Sequence, residues 1–280
     1  MIIEHFSEDK DIDEDTVIWR YRSFKRFKQL LKEESLHFHR IDDFADPFEG
    51  SIPKLVDDIR ETHATEREAR VDQALNRRLR QHTFANCWHM KERESANMWD
   101  NYGGDKNVIA IKSTVGQLEE AIVEPEEDYL QLADIRYIDF IDTTFEELSQ
   151  KVPSGNQPSQ WTIVKRASFK EESEFRAFIQ TIPKISESEY AECEYNLKTR
   201  DIEEKIGLTV GQEEEYIDLR SAPSQFGQTI LVDPDILLDG IFVDPEAEEE
   251  YVEMVKYTAD NFGVDPDLVE HSSLSSDAIY

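Results

Sequence analysis

The stretch "FKEESEFRAFI" (169–179) decides the fold expected of this chain, because its side chains alternate cleanly if the backbone is extended. One face of such a strand would carry Glu172, Glu174 and Arg176. The other face would carry Phe175, Ala177 and Ile179. The pattern predicts a strand that buries one side and presents two carboxylates and a guanidinium on the other. That charged row is either an active-site wall or a solvated surface, and the sequence leaves both open.

Other strands and helices are expected on both sides of this strand. Strands are predicted for "TVIWRY" (16–21), "HTFANCWHM" (82–90) and "NVIAIKS" (107–113). Helices are predicted for "SFKRFKQLLKEE" (23–34) and "PEAEEEYVEMVKYTADNFG" (245–263). Since strands and helices follow no strict β-α-β rhythm, we expect an α+β fold with a central mixed or antiparallel sheet flanked by helices.

The domain organisation is expected to be simple. We predict a single domain over residues 1–280, with an acidic lead-in at 1–15 and a loop-rich polar insertion at about 184–215. The segment "KVPSGNQPSQ" (151–160) reads as a linker, and a helix is expected near "WTIVKR" (161–166).

Charge is the most unusual feature of the composition. The chain has 62 acidic and 31 basic residues, so its formal net charge is −31. This charge should repel free nucleic acid and anionic membranes. It favours an acidic, halophile-like surface, as in an archaeal protein from a high-salt cytoplasm; an acidic protein from an ordinary cytosol is the alternative.

The location expected from the sequence is cytoplasmic. Cys87 and Cys193 form neither a disulfide framework nor a zinc pattern, which fits a reducing compartment. The N-terminal residues lack the apolar core of a signal peptide, and no window is apolar enough for a membrane span. P-loop, Rossmann, zinc-protease and serine-hydrolase signatures are all missing from the sequence.

The segment "WRYR" (19–22) is the first candidate binding element. On a strand, Arg20 and Arg22 share a face and alternate with Trp19 and Tyr21. Paired guanidiniums beside aromatic rings suit bidentate binding of phosphate. The alternative is that both arginines pair with surface carboxylates.

The turn-rich segment "DDFADPFEG" (42–50) is a second candidate. Asp46 before a proline predicts a turn, Phe48 an anchor in the core, and Gly50 a positive φ. Asp43, Asp46 and Glu49 would be the ligands of a cation, but their spacing matches no established loop, so a structural turn is the preferred interpretation.

A third candidate is the helix expected in "ESANMWDNYGG" (94–104). Trp99 and Tyr102 lie three residues apart and share a face, which suits stacking on a planar ring such as nicotinamide. The alternative is that both rings belong to a hydrophobic core. His37 and His39 also share a strand face, but without a third ligand no metal is expected.

The charged row of the opening stretch is the fourth candidate. Two carboxylates two residues apart on a strand lie about 7 Å apart, close enough to act on one sugar. One would hold a ribose hydroxyl, and the other would stabilise an oxocarbenium-like transition state. Arg176 is counted with the ligand-binding residues, because its guanidinium would keep at least one carboxylate ionised.

Five segments, taken in their order along the chain, resemble a widespread prokaryotic family catalogued as domain of unknown function 2971. They are "WRYR", "LHFHRIDDFADPFEG", "MWDNYGG", "VKRASFKEESEFR" and "LLDGIFVDPEA". The resemblance covers roughly residues 16–274. The layout of that family is in turn similar to ADP-ribosyltransferases, including toxin and phage-defence members. Those enzymes have an early NAD-binding Arg or His, a middle aromatic residue beside the nicotinamide, and a late catalytic Glu.

This resemblance implies a role for each candidate residue. Arg20 would hold the pyrophosphate or a ribose of NAD, Trp99 or Tyr102 would stack on nicotinamide, and Glu174 would be the catalytic carboxylate. Glu172 would orient the acceptor. Two departures are the absence of a well-placed S-T-S segment and the presence of Arg176. The competing hypothesis is a non-catalytic sensor or interaction domain of a defence or stress operon, in which a protein would be the partner.

Overall fold

The computed structural model describes residues 3–6, 12–102, 107–123, 130–152, 158–181, 184–185, 207–210, 215–218, 223 and 225–275. The strands in these ranges are β1 (Ile3–Phe6), β2 (Val17–Ser23), β3 (Ser35–Arg40), β4 (Thr83–Met90), β5 (Val108–Thr114), β6 (Leu130–Asp134), β7 (Arg136–Ile138), β8 (Val164–Arg166), β9 (Glu174–Gln180), β10 (Lys184–Ile185), β11 (Gly207–Val210), β12 (Glu215–Asp218), β13 (Gly227–Leu231), β14 (Gly240–Val243) and β15 (Val269–His271). The α-helices are α1 (Phe24–Glu33), α2 (Lys54–His63), α3 (Glu66–Gln81), α4 (Ala96–Tyr102), α5 (Val115–Ala121), α6 (Phe145–Lys151), α7 (Pro234–Leu237) and α8 (Glu249–Asn261).

A mixed sheet forms the centre of the molecule, as expected from the sequence. Its strand order is β1-β6-β9-β4-β2-β5-β14-β15, with β3 pairing to β4 and β13 pairing to β3. The pairs β1–β6 and β14–β15 are parallel, and the other pairs in this sheet are antiparallel. Among the described helices, none is long and apolar enough to cross a bilayer.

The core lies on both faces of this sheet. On one face, α1, α5 and α8 pack their apolar stripes onto the central strands, and Phe27, Leu118 and Val252 belong to this cluster. A second cluster on the other face includes Ile138 of β7 and Val164 of β8. The expected α1 begins after Ser23, as predicted, although the Ser23 side chain makes no capping hydrogen bond.

The opening stretch differs from its expected structure in two respects. The strand begins only at Glu174, because residues 167–172 form a 3₁₀ helix and Ser173 adopts a left-handed conformation with φ 40° and ψ 54°. Glu172 is therefore not on the strand. β9 is also buried on both faces, since it lies in the middle of the sheet between β4 and β6. The interpretation of a solvated charged face is wrong.

Three other sequence predictions have different outcomes in the structure. The helix expected near 161–166 is wrong, because Pro158–Trp161 forms a 3₁₀ turn and Val164–Arg166 pairs with β7 as a parallel strand. The insertion at 184–215 contains β10 and β11, which form a small antiparallel sheet with β12. Most of that insertion, the centre of the linker and the glycines expected to end α4 lie outside the described residues.

A fork at the edge of β4 creates the opening in which the candidate site lies. At one end of β4, Met90 and His89 pair with β2. At the other end, Ala85 and Phe84 pair with β3. The backbone of β4 between these two contacts, at residues 86–88, pairs with neither strand on this edge. The sheet therefore separates here, and side chains of β2, β3 and β4 meet around the gap.

Candidate functional site

A cleft of about 720 Å³ opens beside this fork. It brings together six of the eight residues expected to bind or react: Arg20, Tyr21, Arg22, Tyr102, Glu172 and Glu174. Trp99 and Arg176 do not line it. Residues from β2, α4 and the start of β9 thus meet at one cavity although more than 150 positions separate them in the chain. Its volume is in the range of small-molecule binding sites.

The two arginines of β2 have no carboxylate partner among the described residues. Arg20 is 5% exposed, and its Nη2 donates a long hydrogen bond of 3.4 Å to the His37 carbonyl. Its Nε and Nη1 are buried and have no hydrogen-bond partner among the residues that the structure describes. Burial, followed by the nearby charge of Arg22, lowers the pKa of Arg20 well below its ordinary value. The alternative that these arginines pair with surface carboxylates is not what the described part of the chain shows.

Burying a guanidinium without a counter-charge is energetically unfavourable, and this indicates that the arginine pair is suited to binding an anion. Burying a charged group without a partner is unfavourable, and an entering anion would remove that penalty. Half-buried Arg22 also has its pKa lowered by burial. Arg20 also lies against the Trp88 ring, 5.6 Å from its centroid. These contacts leave the arginine pair able to bind an anion such as phosphate.

Tyr102 is the most exposed aromatic ring among the described residues that line the cleft. Tyr102 is 49% exposed and stacks over Tyr21 with the ring centroids 6.3 Å apart and the planes 22° apart. Trp99 lies behind this pair, 3% exposed, with its ring perpendicular to Tyr21 at 5.0 Å. Its Nε1 donates to Glu94 at 3.0 Å. The geometry therefore gives a stacking position to Tyr102 and a core position to Trp99.

Lys165 of β8, which also lines the cleft, contacts three carboxylates. Its Nζ lies 3.1 Å from Glu49, 2.5 Å from Glu172 and 2.8 Å from Glu174. The Lys165 and Glu174 side chains are 9% and 4% exposed, whereas the Glu172 side chain is 35% exposed. Glu172 is thus the accessible carboxylate, and the described residues give its Oε1 no hydrogen-bond partner.

Arg176 completes this cluster from below the cleft. It is fully buried, its Nε donates to Glu174 Oε1 at 2.8 Å, and its Nη2 lies 2.7 Å from the same oxygen. Its Nη1 donates to the Thr162 carbonyl at 2.6 Å, and its Nη2 lies 3.1 Å from Glu49. Because every nitrogen is used within the protein, Arg176 holds Glu174 in place and is not available to a ligand.

The charges of this cluster fix the ionisation of Glu174. Burial alone would raise the pKa of Glu174, but Arg176 and Lys165 outweigh burial and lower it to about 2. Burial would likewise lower the pKa of Lys165, but Glu174 and Glu49 outweigh it and raise that pKa. Three carboxylates and two cations leave the cluster with a formal charge of −1.

The left-handed residue Ser173 explains how two carboxylates two positions apart reach the same ammonium. It ends the 3₁₀ helix and turns the chain into β9, so Glu172 and Glu174 approach Lys165 from different elements. The Ser173 carbonyl accepts from Met90 N at 2.8 Å. The Glu172 carbonyl makes a short contact with His89 Nδ1. His89 is buried, and within the described part of the chain its Nε2 has no hydrogen-bond partner.

The DPFEG segment is a turn that supports the site. Asp46 accepts from the Phe48 amide at 3.1 Å, and Gly50 has a φ of 66°, as the turn interpretation predicts. Asp46 also makes two contacts of 2.9 Å with Arg166, and Glu49 belongs to the Lys165 cluster. Cations of the protein therefore occupy these carboxylates. No group of metal-ligating residues occurs among the described residues.

Sequence reasoning missed Lys165 and His89 as parts of the site, and it considered Glu49 only as a ligand of a cation. Lys165 lies more than 100 positions from Glu49, and hydrophobic periodicity contains no information about such a pairing. The only local signals were the basic pair at 165–166 just before the acidic stretch and the glutamate of the DPFEG turn.

Comparison with known proteins found neither a family model nor a curated protein that matches this chain.

Proposed function

We propose that the cleft binds a nucleotide, with NAD as the candidate, and that the protein transfers or hydrolyses its ADP-ribose group like an ADP-ribosyltransferase. One observation carries this proposal. Two arginines that have no carboxylate partner among the described residues line the same cavity as a carboxylate cluster, in a chain of net charge −31. A nucleotide sugar would present an anionic phosphate to the arginines. It would present the positive charge that develops on its sugar to the carboxylates.

Arg20 and Arg22 would hold the phosphates of the ligand. Guanidiniums bind phosphate oxygens through paired hydrogen bonds, and Arg20 has buried donors unused. The exposed ring of Tyr102 would stack on nicotinamide, with Tyr21 supporting it from beneath. No metal enters this proposal.

The two glutamates would divide the chemistry differently from the division that the resemblance implies. Glu174 has both oxygens occupied by Lys165 and Arg176, and its lowered pKa makes it a poor base. Glu172 is accessible and has one oxygen unused. We therefore assign contact with the ribose to Glu172, and assign to Glu174 the positioning of Glu172 through Lys165.

The reaction would break the bond between the ribose C1′ and the nicotinamide nitrogen. Nicotinamide leaves with the electron pair of that bond, and the carboxylate of Glu172 stabilises the positive charge on the sugar. A water molecule or an acceptor hydroxyl, amine or guanidine then bonds to C1′, and its proton passes to Glu172. The acceptor we favour is a protein, because the chain's charge disfavours free nucleic acid and anionic membranes.

The setting of this activity is also a proposal. The acidic excess supports a halophilic, archaeal protein working in the cytoplasm, and the resemblance to toxin and phage-defence members supports a role in defence.

A second candidate is a sensor that binds the same ligand without turning it over. The observation that favours it is the saturated coordination of Glu174, whose oxygens accept from cations of the protein itself. A sensor of this kind would keep the arginine pair and Tyr102 for binding and would use the cluster only as a rigid wall.

Nicotinamide release from NAD, measured by chromatography in high-potassium buffer, tests the enzyme. Glu172→Gln should lower turnover by at least about 100-fold, because a charge that stabilises the transition state is lost. The matched control is Glu92→Gln, an exposed glutamate outside the cleft, which should retain wild-type turnover. Binding of NAD without nicotinamide release by the wild type would favour the sensor. Equal turnover in both variants would contradict the assignment of Glu172.

A further inference from the structure

A second cavity, of about 310 Å³, adjoins the cleft at the arginine pair. The residues that line both cavities are Arg20, Arg22, Phe44, Cys87 and Tyr102. Since the shared wall contains the two unpaired guanidiniums, a ligand whose phosphates lie there would have one end in the cleft and the other end in this second cavity.

The far wall of the second cavity is basic. Arg26 lies on this wall, and its Nη1 donates to Gln29 Oε1 at 3.0 Å without any carboxylate partner among the described residues. Glu33 is the one carboxylate among the described residues that line the cavity, and it already accepts from Gln29 at 2.9 Å. A cavity whose described lining has three arginines and one carboxylate, which is already hydrogen-bonded, is unexpected in a chain with twice as many acids as bases.

The two histidines of β3 add to this wall. Burial, and then the charges of Arg26, His39, Arg20 and Arg22, lower the pKa of His37. His39 lies 2.9 Å from Asp43 and so has its own partner. The cations around His37 therefore repel one another, and an anion entering between them would relieve that repulsion.

The position of His37 depends on the absence of a side chain at Gly227. A Cβ at Gly227 would lie 2.1 Å from Cε1 of His37, so only glycine leaves room for the imidazole. The floor of the cavity is apolar, with Phe27, Leu36 and Ile109 among its buried residues. This combination suits a planar apolar body that carries a charged group at its rim.

We propose that this second cavity is a phosphate subsite: Arg26 and His37 bind a phosphate monoester on the distal end of a dinucleotide whose pyrophosphate lies on Arg20 and Arg22. The inference rests on the proposed function and narrows its substrate class. It assigns a preference for NADP, which carries a 2′-phosphate on its adenosine ribose, over NAD, which does not.

Calorimetric titration of the full chain with NADP, NAD and inorganic pyrophosphate tests the inference. The wild type should bind NADP about tenfold more tightly than NAD, since one charge-assisted contact is worth about that factor. Arg26→Gln should abolish the difference. Lys28→Gln removes an equal charge from an exposed position of the same helix outside both cavities, and should retain the difference. Gly227→Ala should reduce it without changing any charge, because the new methyl displaces His37.

The possible results separate this inference from the proposed function. Equal affinity of the wild type for NADP and NAD, or equal behaviour of the Arg26 and Lys28 variants, would overturn the subsite while leaving the nucleotide proposal intact. If neither dinucleotide binds, the NAD proposal ends; pyrophosphate binding that is weaker in Arg26→Gln than in Lys28→Gln would then keep an anion subsite at Arg26, and equal pyrophosphate binding by the two variants would overturn the subsite as well. Absence of pyrophosphate binding in that case would overturn both.

Discussion

At the scale of single residues, the site depends on a cluster of five ionised side chains. Glu49, Glu172 and Glu174 surround Lys165, and Arg176 closes the cluster from below. Buried ion pairs compensate for lost hydration only if nearly every donor and acceptor is satisfied. Here Lys165 makes three contacts and Arg176 makes four, so removal of one central carboxylate leaves two cations under-coordinated.

The first prediction concerns Glu174. Glu174→Gln should lower the free energy of unfolding by about 3 to 5 kcal/mol, because it leaves buried charge uncompensated. Urea denaturation followed by tryptophan fluorescence measures this. Glu172→Gln is the matched control, and should cost less than about 1 kcal/mol because its side chain is 35% exposed.

Acid provides a second readout of the same residue. The pKa of Glu174 is lowered in the folded protein, from an ordinary value of 4.5 to about 2, so its contribution is present above 4.5 and is lost as pH falls toward 2. The wild type should therefore lose stability more steeply than Glu174→Gln between pH 4.5 and about 2. Parallel acid profiles for the two proteins would contradict the assigned pKa.

At the scale of elements, the sequence predicted the strands and helices whose pattern is contained in a few neighbouring residues. The alternation in "NVIAIKS" and the helical spacing of Phe27, Leu30 and Leu31 both correspond to observed elements. The helix expected near 161–166 was wrong, because β8 owes its conformation to parallel pairing with β7. The position of Glu172 was wrong because nothing in "EESEF" marks Ser173 as left-handed, whereas a glycine would have done so.

The candidate site could be predicted only in part, for the same reason. The residues that carry recognisable patterns, Arg20, Tyr102 and Glu174, do line one cleft. The pairing of Lys165 with Glu49 could not be read from periodicity, since it depends on how β8 and the DPFEG turn pack against the sheet. Alternation correctly placed Glu174 and Arg176 on one face, but burial on both faces follows from the central position of β9.

The second prediction tests the turn at Ser173. A left-handed conformation costs a residue with a Cβ about 1 to 2 kcal/mol, which glycine does not pay. Ser173→Gly should therefore be more stable than Ser173→Ala in urea denaturation, by about 1 kcal/mol. At Lys28, an exposed position within α1, the order should be reversed, with Lys28→Ala more stable than Lys28→Gly. The same order at both positions would contradict the assigned backbone.

At the scale of the whole molecule, the chain has a net charge of −31, yet its cleft is lined in part by cations. Self-repulsion of so many carboxylates destabilises the compact state at low ionic strength. A local basic pocket in this field can still attract a small anion, because salt screens the distant carboxylates more strongly than it screens close, partly buried contacts.

The third prediction follows from this charge. Raising KCl from 0.1 to about 2 M should raise the thermal midpoint by about 5 °C or more, because screening weakens repulsion among the carboxylates. Differential scanning fluorimetry measures this, and tetramethylammonium chloride separates screening from effects specific to potassium. A midpoint that falls or stays constant with salt would contradict halophilic adaptation.

The claim on which the account depends is that Arg20 and Arg22 serve one nucleotide ligand together with the carboxylate wall. The most direct test is calorimetric titration of NAD into the wild type and into Arg22→Gln, which changes a half-buried residue that makes no hydrogen bond or ion pair with the described residues. The account predicts saturable binding that weakens by at least about tenfold in the variant, or roughly 1.4 kcal/mol. Absence of binding by the wild type, or equal affinity of the two proteins, would contradict it.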